Sequence, residues 1–322
     1  MADIFSVTFP FFALVLCGYL AARSRLLPLD AVPGLNMFVL YFALPCMLWR
    51  FGSTTPLLQL FNPMIAAVWL AAAALVVAAA AALARRRGAG WADAALGALV
   101  AAFPNSGFMG VPLILALLGA GAVGPVMATL LVDLVATTSL CIGLAHLGSD
   151  AVQPQGPAQA VVRTLKGVLR NPMPWSILLG ALVGALGWVP WAPLNRAVQL
   201  LADAASPVAL FTIGAVLARS QIQAGAATRP QPGQSDVGWI TGAKLALHPL
   251  VVWGLGTLAV QAGALPGAAL LPLVLTAALP SASNVSLLAE RYSADNGRVA
   301  RIILWSTALA FVTFSAAVAL LR

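Results

Sequence analysis

Residues 101–112 read AAFPNSGFMGVP, and residues 277–288 read AALPSASNVSLL. Each sets a proline and small polar residues in the middle of an otherwise apolar segment. Proline removes an amide donor and clashes with the preceding turn, while glycine tolerates unwinding. Pro104, Gly107, Gly110 and Pro112 fall within nine residues, and Pro280 is followed by Ser281, Ser283 and Asn284. Peptide groups freed inside hydrocarbon persist only where they pack in protein or line a polar cavity. The two stretches therefore predict helices broken near mid-depth, with amide groups of partial positive charge aimed at one region. An anion is the natural guest. Asn105, Ser106, Gly107, Ser281, Ser283 and Asn284 are the predicted substrate contacts. The blander alternative is a pair of kinks that serve only packing.

The rest of the chain supplies the membrane. Of 322 residues, 61% are hydrophobic and 8% charged, whereas a soluble domain carries about a quarter charged. Apolar stretches long enough to span recur from end to end. They predict ten spans at 3–22, 33–51, 61–84, 92–118, 121–147, 173–190, 194–218, 237–263, 265–290 and 299–321. Residues 3–22 carry no basic residue ahead of the apolar run, so they predict a retained helix rather than a cleaved leader.

A net charge of +8 invites a nucleic-acid reading, but the charges sit at span ends and in short connections. Arg23, Arg25, Arg85, Arg86, Arg87, Arg163, Lys166, Arg170, Arg219, Arg229, Arg291, Arg298 and Arg301 follow the odd-numbered spans. Only Arg50, Arg196 and Arg322 lie on the opposite side. Basic residues stay cytoplasmic, so both termini are expected outside a cell membrane.

Ten spans divide into five and five, and an odd number per half makes the second half enter in the opposite sense. Residues 1–147 and 173–322 are the expected repeats, joined by a cytoplasmic loop at 148–172. Prolines match across the halves: Pro45 and Pro104 are 59 residues apart, Pro207 and Pro280 are 73 apart. The excess fits the longer polar loop at 219–236, which reads as a flexible linker.

Charges inside spans are costly and mark ion or proton paths. Asp133, in LLVDLVATTSL, is a candidate for ion or proton coupling, and Asp203 is a second. Lys244 either snorkels to the cytoplasmic surface or lends positive charge to an anion path. Asp203 and Lys244 sit at different depths and are not expected to pair. His248 is a proton carrier or an ordinary buried histidine; His146 is interfacial. Gly180 and Gly184 predict close helix packing, with a dimer interface as one possible place for it. Trp49, Trp175, Trp188, Trp191 and Trp305 fit interfacial anchors. Cys17, Cys46 and Cys141 stand singly and suggest neither a disulfide nor a metal.

Four motifs in order, LNMFVLYFALP at 35–45, PNSGFMGVPL at 104–113, LADAASPVALFTIG at 201–214 and ALPSASNVSLLAERY at 278–292, resemble the auxin efflux carrier family, whose bacterial members include carboxylate permeases. The resemblance implies an all-helical membrane fold of the kind seen in bile-acid symporters, with the fourth and ninth spans crossing at the substrate site. It implies Asn105 as a carboxylate contact and Pro104 and Pro280 as crossover prolines. It also implies a scaffold of spans 1, 2, 6 and 7, a moving core of the other six, elevator-like access and homodimers. The plant carriers' long central loop is missing, which argues against auxin as substrate.

The function expected is secondary transport of a small carboxylate such as malonate. The alternative is a sodium- or proton-coupled symporter of larger amphipathic anions. No HExxH, GxSxG or paired-Asp motif supports a membrane enzyme, and no filter motif supports a channel. No cofactor is expected, with H+ or Na+ as the conceivable coupling ion, and nucleic acid is not an expected partner.

Overall fold

The computed structural model describes residues 2–56, 60, 62–147, 172–226, 236–292 and 294–321. Most of the connection at 148–172, part of the 219–236 linker, and Arg163, Lys166, Arg170, Arg229 and Arg322 lie outside the described residues. The regular elements are helices: α1 (Ala2–Arg23), α2 (Leu29–Thr54), α3 (Pro63–Arg86), α4 (Trp91–Ala102), α5 (Ser106–Leu118) and α6 (Ala120–His146). They continue as α7 (Pro172–Ala185), α8 (Ala192–Ala226), α9 (Val237–Gln261), α10 (Gly267–Ala277), α11 (Val285–Arg291) and α12 (Asn296–Leu321). Seven of them, α1, α2, α3, α6, α8, α9 and α12, contain stretches long and apolar enough to cross a membrane.

Helix ends follow local chemistry. At the start of α3, Asn62 Oδ1 accepts the amides of Met64 and Ile65 at 3.0 and 3.2 Å, and Pro63 needs no donor there. Arg85 and Arg86 occupy its last turn, where the dipole favours cations. The sixth span is shorter than its sequence suggests. Helix α7 stops at Ala185 because Gly187 turns the chain at φ 62°.

Two groups of helices pack side by side. In one, α1 lies along α8, and α2 is held between α7 and α8. Backbones approach so closely that a Cβ on Gly18 would strike the Phe211 carbonyl and one on Gly214 the Val15 carbonyl. A Cβ on Gly180 or Gly184 would likewise meet the carbonyls of Trp49 and Ser53 on α2. That pair is thus close packing within the chain, as small residues permit. It is not available as a dimer interface. In the other group, α3, α6, α9, α11 and α12 surround α4, whose residues Ala94 through Ala102 are all buried, and α10 packs on α9 and α6.

Four π turns interrupt these helices, at Val39–Ala43, Ser106–Gly110, Asp133–Thr137 and Ala243–Leu247. Three of them are followed two residues later by a proline: Pro45, Pro112 and Pro249. Each proline lacks the N–H that would bond the carbonyl four residues back, so that carbonyl is released inside the turn. Phe108 O, freed in this way by Pro112, is approached by Ser206 Oγ of α8 at 3.4 Å.

Arg298 departs most from its sequence reading. It is 2% exposed rather than a loop charge, and it binds Asp236 through Nε at 2.8 Å and Nη2 at 2.5 Å. Its Nη1 donates to Asp93 O at 2.8 Å. Gly97 leaves room for this guanidinium, because a Cβ there would lie 2.7 Å from Nη2. The arginine ties the starts of α4, α9 and α12 together.

Candidate functional site

The chain breaks between α4 and α5 at Phe103–Asn105 and between α10 and α11 at 278–284. The two breaks lie against each other. Pro104 and Ser281 form an isolated antiparallel bridge, in which the Asn105 amide donates to Pro280 O at 2.8 Å and the Ala282 amide to Phe103 O at 2.9 Å. The expected interruption and adjacency of the two segments are both present.

The freed peptide groups can be followed one by one. Pro104 cannot serve Val100 O, and Ser281 Oγ donates to that carbonyl at 2.8 Å instead. The Ser281 amide, which would have closed the turn onto Ala277 O, donates to Ser306 Oγ at 3.2 Å. Ala277 O receives Lys244 Nζ at 2.8 Å. Val100 O and Ala277 O are thus each given a donor from another segment, as the absence of water in hydrocarbon demands.

This divides the predicted contacts into two sets. Ser281 is a strut, 1% exposed, with its hydroxyl committed to Val100. Ser106 is buried and turned toward Pro104 O at 3.5 Å. Asn105 is 4% exposed, and its carboxamide has no hydrogen-bond partner among the described residues. Asn284 Oδ1 is buried without a partner, and half-buried Ser283 and Asn284 hold amides with no acceptor among the described residues. Leaving a buried group such as Asn284 Oδ1 unmade costs about 1–3 kcal/mol, so this point is where a polar guest would be stabilised. Gly107, half-buried, opens the first turn of α5 beside them. The two half-helices are unequal in length: α5 runs for 13 residues and α11 for only 7. The dipole at this point comes mainly from α5.

The charged candidates fall in different places. Asp203 is paired with Arg50 at 2.5 Å on the first helix group, with side chains 62% and 33% exposed. It does not pair with Lys244. Lys244 does not snorkel: it is fully buried, held by Ala277 O and by His248 Nδ1 at 3.0 Å. Asp133 is also fully buried, and its Oδ1 accepts Trp69 Nε1 and Thr137 Oγ1, each at 2.9 Å. Trp69 was not among the sequence candidates. Its signal was position, since it lies inside the third span, unlike the tryptophans near span ends. Ser306, the acceptor for the broken ninth span, carried no such signal. His146 closes α6 edge-on to Tyr292, with ring centroids 5.7 Å apart.

Apolar spans, paired breaks and an internal polar crossing define a multi-pass membrane protein. A family model described as "Membrane transport protein" matches residues 3–318. The chain belongs to this family, that of the auxin efflux carriers, and is therefore a membrane transporter. Among its relatives, a protein of Rhizobium meliloti (strain 1021) named "Putative malonate transporter" is 30% identical over 324 residues, covering 100% of this chain and 97% of its own. The "Uncharacterized transporter YfdV" of Escherichia coli (strain K12) is 26% identical over 288 residues, covering 88% of this chain and 87% of that one.

Proposed function

We propose that the protein carries a small carboxylate, malonate or a close dicarboxylate, across the cell membrane by elevator-like movement of the α3–α6 and α9–α12 group against the other helices. The observation that carries the reading is Asn105. The residue is only 4% exposed and its carboxamide has no hydrogen-bond partner among the described residues, at the start of α5 where two broken helices cross. A carboxylate there would accept from Asn105 Nδ2, from the free amides near Ser283, and from Asn284 after a half-turn of its amide. The full-length similarity to a protein named for malonate supports the substrate class.

The same reading takes α4 with α5 as one span and α10 with α11 as another. Counted so, the chain has ten spans in two halves, 1–147 and 173–322, of opposite sense, with 148–172 between them. Packing supports this plan. The first span lies on the seventh and the second on the sixth, which is the reciprocal pairing that exchange of two halves requires. Both termini then face outward, away from the cytoplasm, and the protein works as a homodimer. Asp133 is the coupling residue of this scheme, and Asp203 belongs to the support through Arg50.

Uptake of labelled malonate into proteoliposomes holding the purified protein is the test. Saturable uptake competed by other short dicarboxylates is expected. Folded protein that moves no carboxylate in a broad screen would overturn the proposal.

A further inference from the structure

Behind the crossing lies a second polar cluster, buried between α3, α6, α9 and α10. Asp133, Lys244 and His248 are each fully buried. Asp133 Oδ1 is saturated by Trp69 and Thr137, while Oδ2 is buried with no partner. His248 Nδ1 meets Lys244 Nζ at 3.0 Å, its ring lies against Trp69 at 5.2 Å between centroids, and its Nε2 is buried with no partner. Asp133 and Lys244 also lie within electrostatic reach of each other. Both stand in π turns, Asp133–Thr137 and Ala243–Leu247, a distortion that gathers at functional positions.

The surrounding helices bring little other charge. Helix α10 has no titratable side chain, and those of α3 are Arg85 and Arg86 at its end. On α6 the neighbour is Cys141, two turns on. From α4 and α12 come Asp93, Arg298 and Arg301; the Arg298 guanidinium binds the Asp236 carboxylate and the Asp93 backbone carbonyl, while Asp93 Oδ1 accepts the Asp295 amide. The cluster thus holds one acid, one amine and one imidazole, with two orphaned polar atoms.

We infer that Asp133, His248 and Lys244 form a proton-binding site that is wired to the substrate crossing through the Lys244 Nζ–Ala277 O hydrogen bond. This rests on the transporter reading above. The ligand class follows from the donors. A sodium ion needs several convergent oxygens, and an ammonium in the site repels it. A proton needs one lone pair, and Asp133 Oδ2 supplies it, since the acceptor nitrogen of His248 is already taken by the Lys244 ammonium. With Asp133 ionised and Lys244 charged, the cluster is neutral. When it takes up one proton its net charge is +1, and that charge is held against the last turn of α10, three residues before Pro280. An anion at the crossing and a proton in the cluster therefore favour each other, and each must strengthen the other's binding by the same factor.

Two measurements on the purified full-length protein test this. Infrared titration without substrate should show a protonated-carboxyl band that is lost in Asp133→Asn, an exchange that keeps an acceptor for Trp69 and Thr137. Identical spectra for both proteins at every pH would overturn the site. In sodium-free buffer, malonate affinity should rise by up to about tenfold per unit fall in pH for one linked proton. Asp133→Asn should hold the low-pH affinity throughout. Lys244→Met should keep the infrared titration but cut the linkage below about twofold per unit; undiminished linkage would overturn the wiring. If a single variant does not fold, Asp133→Asn with Lys244→Met is the charge-neutral comparison, expected to lack both band and linkage; either one surviving would overturn the site. Absence of any carboxylate binding by the wild type would sink the transporter reading, while the infrared arm still decides the proton site.

Discussion

Ser281 Oγ donates to Val100 O at 2.8 Å, and Val100 O is the carbonyl that Pro104 leaves without its helical partner. One broken helix is thus mended by the hydroxyl of the other. The crossing holds itself together through groups that the two breaks release, and those left over, on Asn105, Ser283 and Asn284, are the ones the proposed substrate would meet.

Asn105→Ala should weaken malonate binding about ten- to hundredfold, the worth of one hydrogen bond to a charged group. The melting temperature in detergent should barely change, since the carboxamide has no partner among the described residues. Equilibrium binding beside a thermal melt checks both. Wild-type affinity in this variant would place the substrate elsewhere.

Ser281→Ala should do the reverse. Removing the hydroxyl orphans Val100 O, at a cost of about 1–3 kcal/mol in stability. A lower melting temperature is expected with malonate affinity largely kept in the protein that remains folded. An unchanged melt would mean that the strut contributes nothing.

The two ion pairs should behave differently. Arg298→Met leaves Asp236, which is 4% exposed, without its cation; breaking such a buried pair costs about 3–5 kcal/mol. Arg50→Gln touches an exposed pair worth about 0–1 kcal/mol. Yield of monodisperse protein and its melt should therefore fall sharply for the first and hardly at all for the second.

Gly180→Val should push α7 off α2, because its first carbon already meets the Trp49 carbonyl. Overpacking of this kind costs about 1–3 kcal/mol or more. Gly34→Ala, where a Cβ meets nothing within 4 Å, is the matched control. Equal melts for the two variants would refute the close contact.

Much of this was legible in the chain. Composition and the length of apolar runs announce the membrane, because twenty residues of helix match the hydrocarbon thickness whatever their neighbours do. Pro104 and Pro280 announce the breaks, because a missing N–H is a local fact. Three of the four π turns also precede a proline by two residues, so they were open to the same reasoning. Asn105 stands where an asparagine would ordinarily cap the helix that follows, and only the fold shows that its carboxamide makes no cap hydrogen bond.

Partners distant in the chain were not legible. Ser281 and Ser283 look alike as residues, yet one is a strut to Val100 and the other keeps a free amide. Arg298 reads as one more basic loop residue until Asp236 and Asp93 are brought to it. Lys244 could have snorkelled; only the fold puts Ala277 O and His248 around its ammonium. Gly180 and Gly184 advertise a close contact without saying with whom. The sequence by itself determined where helices run, where they fail and which groups must then find partners, because these depend on backbone chemistry within a turn. Which partner each group found was decided by the tertiary structure, because hydrogen bonds across the interior depend on which helices the packing makes neighbours.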